Sequence, residues 1–178
     1  MNLEDLPTHE KLIAEDQLQS RIEALGRQIS EDYRGKDLLL LCILKGGVVF
    51  LTDLMRHITI PHEIDFLAVS SYGRDIREST GVVRIIKDLD EPIKGRHVLI
   101  VEDIIDSGYT LDYITRNLIT RNPATLKICT LLDKAERRQV EIPVDYVGFI
   151  IPDKYVFGYG LDLDEKFRNL PMIAVVKM

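Results

Sequence analysis

Val98-Leu99-Ile100-Val101-Glu102-Asp103-Ile104-Ile105-Asp106-Ser107-Gly108-Tyr109-Thr110 is the stretch whose reading decides the fold. Its leading aliphatic residues, bounded by Gly95 and by acids, suit a strand covered on both faces, the usual state in a parallel sheet. A helical pattern starts at Tyr109, with apolar Leu111, Tyr113, Ile114, Leu118 and Ile119. The apolar part therefore reads as a buried strand ending at the acids, and the polar part as a loop entering a helix. Ser107 and Gly108 fall where free backbone N–H groups and the positive end of the helix dipole favour an anion, best a phosphate. Gly108 permits a positive φ or a close backbone approach, and the Ser107 and Thr110 hydroxyls can donate to phosphate oxygens. Glu102, Asp103 and Asp106 would repel that anion unless sugar hydroxyls or a hard cation such as Mg²⁺ lie between. Phosphate, hydroxyls and Mg²⁺ together describe a phosphorylated ribose.

The same strand, loop and helix order occurs upstream. Leu38 to Leu44 is an unbroken aliphatic run, Lys45-Gly46-Gly47 interrupts it, and Val48, Val49, Leu51, Leu54, Met55 and Ile58 continue with helical spacing. The two glycines either form a second anion site with cationic Lys45 at its tip or merely turn the chain. Before this, Leu18, Ile22, Leu25, Ile29 and Tyr33 recur at spacings of four and three, a packing helix with Gly35 just past its end. Further strands are predicted at His62 to Val69, with Ile64, Phe66 and Ala68 on one side, and at Val82 to Ile86, Leu126 to Leu132 and Val144 to Ile151. Between the first two, the polar segment Arg74 to Thr80 makes a long hairpin tip.

The bulk properties agree with one enzyme-sized unit. A chain of 178 residues is a single domain on size, and should bury about 70% of its unfolded surface. Its net charge of −6 offers no general footprint for nucleic acid or anionic membrane, so phosphate binding must come from local geometry. Cys42 and Cys129 sit in aliphatic runs without CxxC spacing, which predicts buried thiols in a reducing compartment. His9, His57, His62 and His97 lack ligand spacing. An acidic start without an apolar signal core, and no apolar run of membrane length, lead us to expect a cytoplasmic protein.

In an open α/β sheet, ligands gather at the carboxyl ends of strands near the switch in strand order. Lys45, Asp106, Lys134 and Tyr155 all fall at or just past such ends. Tyr155 could stack on a base, Lys134 could donate to its O6, and the Val156 backbone could reach its edge. Alone, each has a plainer reading: Lys134 as a solvated charge and Tyr155 as a half-buried aromatic.

Glu102 to Thr110 closely resembles the phosphoribosyl-pyrophosphate (PRPP) signature of type I phosphoribosyltransferases, and its details resemble the hypoxanthine-guanine branch. The resemblance runs from the first helix to Arg168. It implies an α/β fold with a central, mostly parallel sheet flanked by helices, and a small hood formed by the terminal segments, with residues 152–178 over the purine. It implies a Mg²⁺-dependent enzyme of purine salvage, acting on PRPP and hypoxanthine or guanine to give IMP or GMP and pyrophosphate, and commonly a homodimer or homotetramer. Residue by residue, Glu102, Asp103, Asp106, Ser107, Gly108, Tyr109 and Thr110 would hold the ribose and 5′-phosphate. Lys45-Gly46-Gly47 resembles the pyrophosphate loop, in which the Leu44-Lys45 peptide can be cis. Ser71-Tyr72 resembles the start of a flexible lid, about residues 70–81. Ile151 to Asp162 resembles the purine-binding segment, where Tyr155, Val156 and Asp162 would serve the base, together with Lys134 at the end of the Leu126 to Leu132 strand. Asp162 would join Glu102 and Asp103 around metal, Arg168 would meet the pyrophosphate, and Asp106 would act as general base at purine N7. Tyr109 stands where some relatives have Lys, and Tyr155 where Phe is common, so the preference among hypoxanthine, guanine and xanthine stays open. Transfer to another base such as uracil is one alternative. A regulatory RNA-binding protein of the same fold is another, and it calls for a basic stripe. Arg116, Arg121, Lys127, Arg137 and Arg138 are instead interspersed with apolar and acidic residues.

Overall fold

The computed structural model describes residues 8–71 and 83–177. In chain order the elements are β1 (His9–Ile13), α1 (Glu15–Asp32), β2 (Leu38–Leu44), α2 (Gly47–His57), β3 (His62–Ser71), β4 (Val83–Lys87), β5 (His97–Ile105), α3 (Tyr109–Ile119), β6 (Thr125–Asp133), a single 3₁₀ turn (Ala135–Arg137), β7 (Tyr146–Ile150), β8 (Val156–Phe157) and β9 (Ile173–Val176). The expected lid residue Tyr72 and the polar tip from Arg74 to Thr80 lie outside the described residues, and Ser71 is the last residue of β3.

A six-stranded sheet runs in the order β4-β3-β2-β5-β6-β7, parallel throughout except for β4 at its edge. The unbroken aliphatic run of β2 follows from its central place. Leu38, Leu40 and Cys42 pack with α1 and α2, through Leu18, Ile22, Phe50 and Leu54. Leu39 and Leu41 pack on the other face with Leu111, Ile114 and Leu118 of α3. Strand side chains alternate between faces, so a strand covered on both must be apolar at every position. Each such leucine contributes roughly 1.5–3 kcal/mol of burial.

Three expectations need correction. β5 does not end at the acids but continues through them to Ile105, because β6 keeps pairing as far as Ile105↔Asp133. On its other side β2 pairs with β5 only to Cys42↔Val101, so Glu102 to Ile105 project beyond the last β2 pair. On α3, Tyr113 and Ile119 are exposed rather than packed, leaving Leu111, Ile114 and Leu118 as the buried stripe. In β3 the fully enclosed positions are Asp65 and Leu67, and Ile64 is exposed. Asp65 tolerates burial because it accepts from the Phe66 and Asp90 amides at 2.6 and 2.9 Å and from Lys87 Nζ at 3.2 Å.

The hood is a second sheet in which β9 lies between β1 and β8, antiparallel to both, so its strands come from the two ends of the chain. Phe157, Leu170 and Ala174 form its small core. Tyr159 in the hood donates a short hydrogen bond to Asp53 of α2, which also accepts from Gln19 of α1 at 3.1 Å. These bonds tie the second sheet's segment to α1 and α2. Both cysteines are buried; burial pushes the Cys42 thiol up to about 12, and the Glu102 and Asp103 charges add to it. Such thiols are inert packing groups. No helix among the described residues is long and apolar enough to cross a membrane.

Candidate active site

The strand order reverses between β2 and β5, since β3 follows β2 on one side and β5 returns to the other. The two loops leaving these strands therefore flank one crevice, where ligands collect in sheets of this kind. The loop after β5 is short: Asp106, Ser107 and Gly108 lead directly into α3. Gly108 has φ +89°, and a Cβ there would meet Val140 Cγ2 at 2.9 Å, so both conformation and space demand glycine. Among the described residues no side chain caps α3, which leaves its first-turn N–H groups available to a ligand. A pocket of about 190 Å³ lies there, lined by Glu102, Asp106, Ser107, Gly108, Thr110 and Leu111 among others. Pockets that enclose a whole drug-sized ligand start at about 300 Å³, so this one suits a fragment such as a phosphate group. Tyr109 is turned outward, its hydroxyl donating to Gln139 Oε1 at 3.1 Å.

The turn after β2 carries a cis peptide between Leu44 and Lys45. Gly46 is enclosed from two directions. A Cβ on it would overlap the Asp103 carboxylate, and a Cβ on Gly160 of the hood would overlap the Gly46 carbonyl. Gly46 thus presents backbone with no room for a side chain. Lys45 Nζ pairs with Glu165 Oε2 at 2.9 Å, and the same carboxylate oxygen lies 3.3 Å from Arg168 Nη2. Arg168 also pairs with Asp162 at 2.9 Å and donates to the Gly160 carbonyl at 2.8 Å. Sequence reasoning brought Lys45, Gly46 and Arg168 to one function, and the structure brings them to one place. It did not foresee Glu165, held with Asp164 at positive φ in the tight turn between Leu163 and Lys166.

Glu102 and Asp103 are unfavourable neighbours as they stand. Burial pushes the Glu102 carboxyl well above its usual range, and the Asp103 charge adds to it. Burial likewise raises Asp103, against hydrogen bonding and the distant Arg168 charge. Among the described residues Glu102 Oε2 is enclosed without a hydrogen-bond partner. An all-oxygen pair with an orphaned atom fits a hard cation such as Mg²⁺, which needs only one or two carboxylates when substrate phosphates and water complete its shell. Asp162 is not gathered with them: among the described residues no group of three or more metal-ligating side chains forms, and Asp162 is engaged by Arg168 and by the Glu165 amide at 2.9 Å.

Lys134 is buried, contrary to the reading of it as a solvated charge. Its Nζ lies 3.4 Å from Asp106 Oδ2 and 3.6 Å from Asp153 Oδ1, so the buried charge is compensated by two acids. Val156 is buried in β8, whereas Tyr155 beside it is exposed, a ring open to stacking.

A family model described as "Phosphoribosyl transferase domain" matches residues 12–166. The hypoxanthine-guanine phosphoribosyltransferase of Mycobacterium avium is 52% identical over 171 residues, covering 93% of this chain and 84% of that one. The hypoxanthine phosphoribosyltransferase of Escherichia coli is 49% identical, covering 95% and 96%.

The chain belongs to the hypoxanthine-guanine phosphoribosyltransferase family.

Solved structures agree on the type I phosphoribosyltransferase fold. A hypoxanthine phosphoribosyltransferase from Staphylococcus aureus superposes with a TM-score of 0.91 at 48% identity, covering 94% of this chain and 91% of that one. A hypoxanthine-guanine phosphoribosyltransferase from Bacillus anthracis gives 0.90 at 45% identity, covering 97% and 99%. Within this phosphoribosyltransferase chain, the residues that sequence reasoning missed are Arg137, Asp153 and Glu165, each an ionic partner of a residue it named. The available signal was Arg137 standing three residues after Lys134, which a 3₁₀ turn places on the same side. The five basic residues that a nucleic-acid surface would need are each paired with aspartate: Arg116 with Asp112, Arg121 with Asp88, Lys127 with Asp145, Arg137 with Asp106 and Asp153, and Arg138 with Asp133.

Proposed function

We propose that this chain transfers the 5-phosphoribosyl group of PRPP to hypoxanthine or guanine, giving IMP or GMP and pyrophosphate. The single observation that carries the reading is the convergence of two loops at the β2/β5 switch: an uncapped helix entrance with a phosphate-sized pocket, and a backbone turn flanked by Lys45 and Arg168. One loop suits the 5′-phosphate and the other the pyrophosphate of the same donor.

Ser107, Gly108, Tyr109 and Thr110 hold the 5′-phosphate through backbone N–H groups and the two small hydroxyls. Glu102 and Asp103 hold the ribose hydroxyls and are the carboxylates that would hold Mg²⁺, and Asp162 would meet a metal ion or its water shell. Bound there, Mg²⁺ supplies positive charge that neutralises the pyrophosphate. Tyr155 stacks on the base, Lys134 donates to its O6, and the Val156 backbone and Asp162 meet its edge. As the C1–O bond to pyrophosphate breaks, the leaving group keeps the electron pair and Lys45, Gly46 and Arg168 receive it. N9 of the purine forms the new bond to C1, and Asp106 takes the proton from N7. All of residues 1–178 act as one catalytic unit, with residues 152–178 as the hood over the base.

The test is incubation of PRPP and Mg²⁺ with each free base, with nucleotide as the readout. Hypoxanthine and guanine should give product, and uracil none; product from uracil alone would overturn the assignment. Asp106→Asn should lower kcat by roughly 10² or more and leave the KM for PRPP within a few-fold. Near-normal turnover would remove Asp106 from the base role.

A further inference from the structure

The purine side of the crevice holds a cluster of two acids and two cations: Asp106, Asp153, Lys134 and Arg137. Its geometry comes from one short element. Lys134 caps the 3₁₀ turn Ala135–Arg137, and the Arg137 amide closes it by donating to the Lys134 carbonyl at 2.9 Å. Residues three apart eclipse one another in such a turn, so the Lys134 and Arg137 side chains leave in the same direction. The segment is anchored to the phosphate loop: the Lys134 amide donates to Ile105 O at 2.9 Å, and the Gln139 amide to Ser107 O at 3.0 Å. Arg137 is therefore fixed relative to Asp106 by backbone bonds on either side of it.

The two oxygens of Asp106 are treated differently. Arg137 Nε stands 2.7 Å from Oδ1, while Nη1 of the same guanidinium lies 3.1 Å from Asp153 Oδ2. The approach to Oδ1 is ionic rather than along an N–H direction, and Oδ1 is enclosed without a hydrogen-bond donor among the described residues. Among the described residues Oδ2 takes only the long 3.4 Å contact from Lys134, and the side chain as a whole is 45% exposed, so Oδ2 is the oxygen open to a ligand. Lys134 is the cation with another task once a base arrives. When its ammonium turns to the purine O6, Arg137 is the cation left on Asp106. A planar fork spanning two carboxylates fixes their orientation in a way that a single ammonium does not.

We propose that Arg137 is the positioning residue of the general base: by holding one oxygen of Asp106 and bracing itself on Asp153, it aims the other oxygen at the purine and retains it there when Lys134 leaves. This rests on the assignment of Asp106 as the base. In this role Arg137 acts through Asp106 rather than on the substrate, and its half-exposed side chain makes it a minor contributor to folding.

The test is a set of four proteins, Arg137→Gln, Arg137→Lys, Asp106→Asn and Arg137→Gln with Asp106→Asn, assayed with PRPP and hypoxanthine and checked by thermal unfolding. Arg137→Gln should lower kcat about tenfold or more, the scale on which a misplaced catalytic group costs rate, with the KM for PRPP unchanged. Arg137→Lys should recover part of the loss. In the Asp106→Asn background the glutamine change should cost less than about twofold, because residues acting through one another are not additive. Wild-type kcat in Arg137→Gln overturns the proposal, as does a full further loss on the Asp106→Asn background. If Asp106→Asn alone turns over normally, the base assignment falls and the proposal falls with it. If Asp106→Asn is slow while Arg137→Gln is normal, only the proposal falls.

Discussion

Replacing Gly160 by alanine tests the close contact between its segment and the Gly46 carbonyl in the turn after β2. Gly160 has φ +98°, where an alanine costs about 1–2 kcal/mol. The new Cβ would also overlap the Gly46 carbonyl, which is backbone and cannot rotate away. Forcing one extra carbon into a packed site costs about 1–3 kcal/mol, so Gly160→Ala should lose about 2–5 kcal/mol in all. Gly35 is the internal control: it too is left-handed, at φ +74°, but an added Cβ there meets nothing within 4 Å. Gly35→Ala should therefore lose only the conformational part, about 1–2 kcal/mol. For a chain of this size each kcal/mol lowers Tm by about 2–4 °C, so the two variants should differ by about 2–12 °C in a thermal melt. Only Gly160→Ala should also raise the KM for PRPP, because only it displaces Gly46. Equal melting points for the two variants would refute the reasoning, and so would an unchanged KM in a protein whose Tm had fallen as expected.

The remaining predictions concern charge and packing. Glu165→Gln should release Lys45 and Arg168 for an incoming anion and tighten pyrophosphate binding roughly two- to fivefold by calorimetric titration, the modest scale of exposed pairs. Weaker binding would show that Glu165 arranges the two cations rather than competing for them. Burial pushes the Asp65 carboxyl up, but the Asp90 and Phe66 amides and Lys87 outweigh it and hold it below 3.8. A carboxyl lowered on folding stabilises the native state above its unfolded value and loses that contribution as pH falls through the folded one. Asp65→Asn should accordingly be less stable than wild type by about 1–3 kcal/mol at pH 7 in urea unfolding, with the gap closing as the pH drops below about 4. A gap that is constant with pH would remove ionised Asp65 from the account. Leu40→Ala, at a fully enclosed position of β2, should cost about 2–5 kcal/mol in the same urea experiment, and a loss below about 1 kcal/mol would mean that the core around the central strand collapses to fill the space.

What the order of residues determined by itself is local and periodic. Val98 to Val101 and Leu38 to Leu44 had to be covered strands because apolar residues at every position satisfy only an element with two buried faces. The start of α3 at Tyr109 followed from its apolar spacing, and the need for glycine at 108 from turn chemistry, with positive φ or close backbone approach both open until the structure gave φ +89°; the family likeness of Glu102 to Thr110 followed from the spacing of its acids and small residues. What only the tertiary structure decided depends on partners far apart in the chain. That β5 runs on through Glu102 and Asp103 is set by pairing with β6, some thirty residues later, and no local preference for loop in acidic residues overrides that ladder. Asp65 is buried because Asp90 and Lys87 reach it across the β3–β4 edge of the sheet, while a strand pattern read alone puts a carboxylate outside. The pairing of Arg137 with Asp106, and of Glu165 with Lys45 and Arg168, joins charges whose energy depends on distance in space, and distance in space is what the chain acquires only on folding.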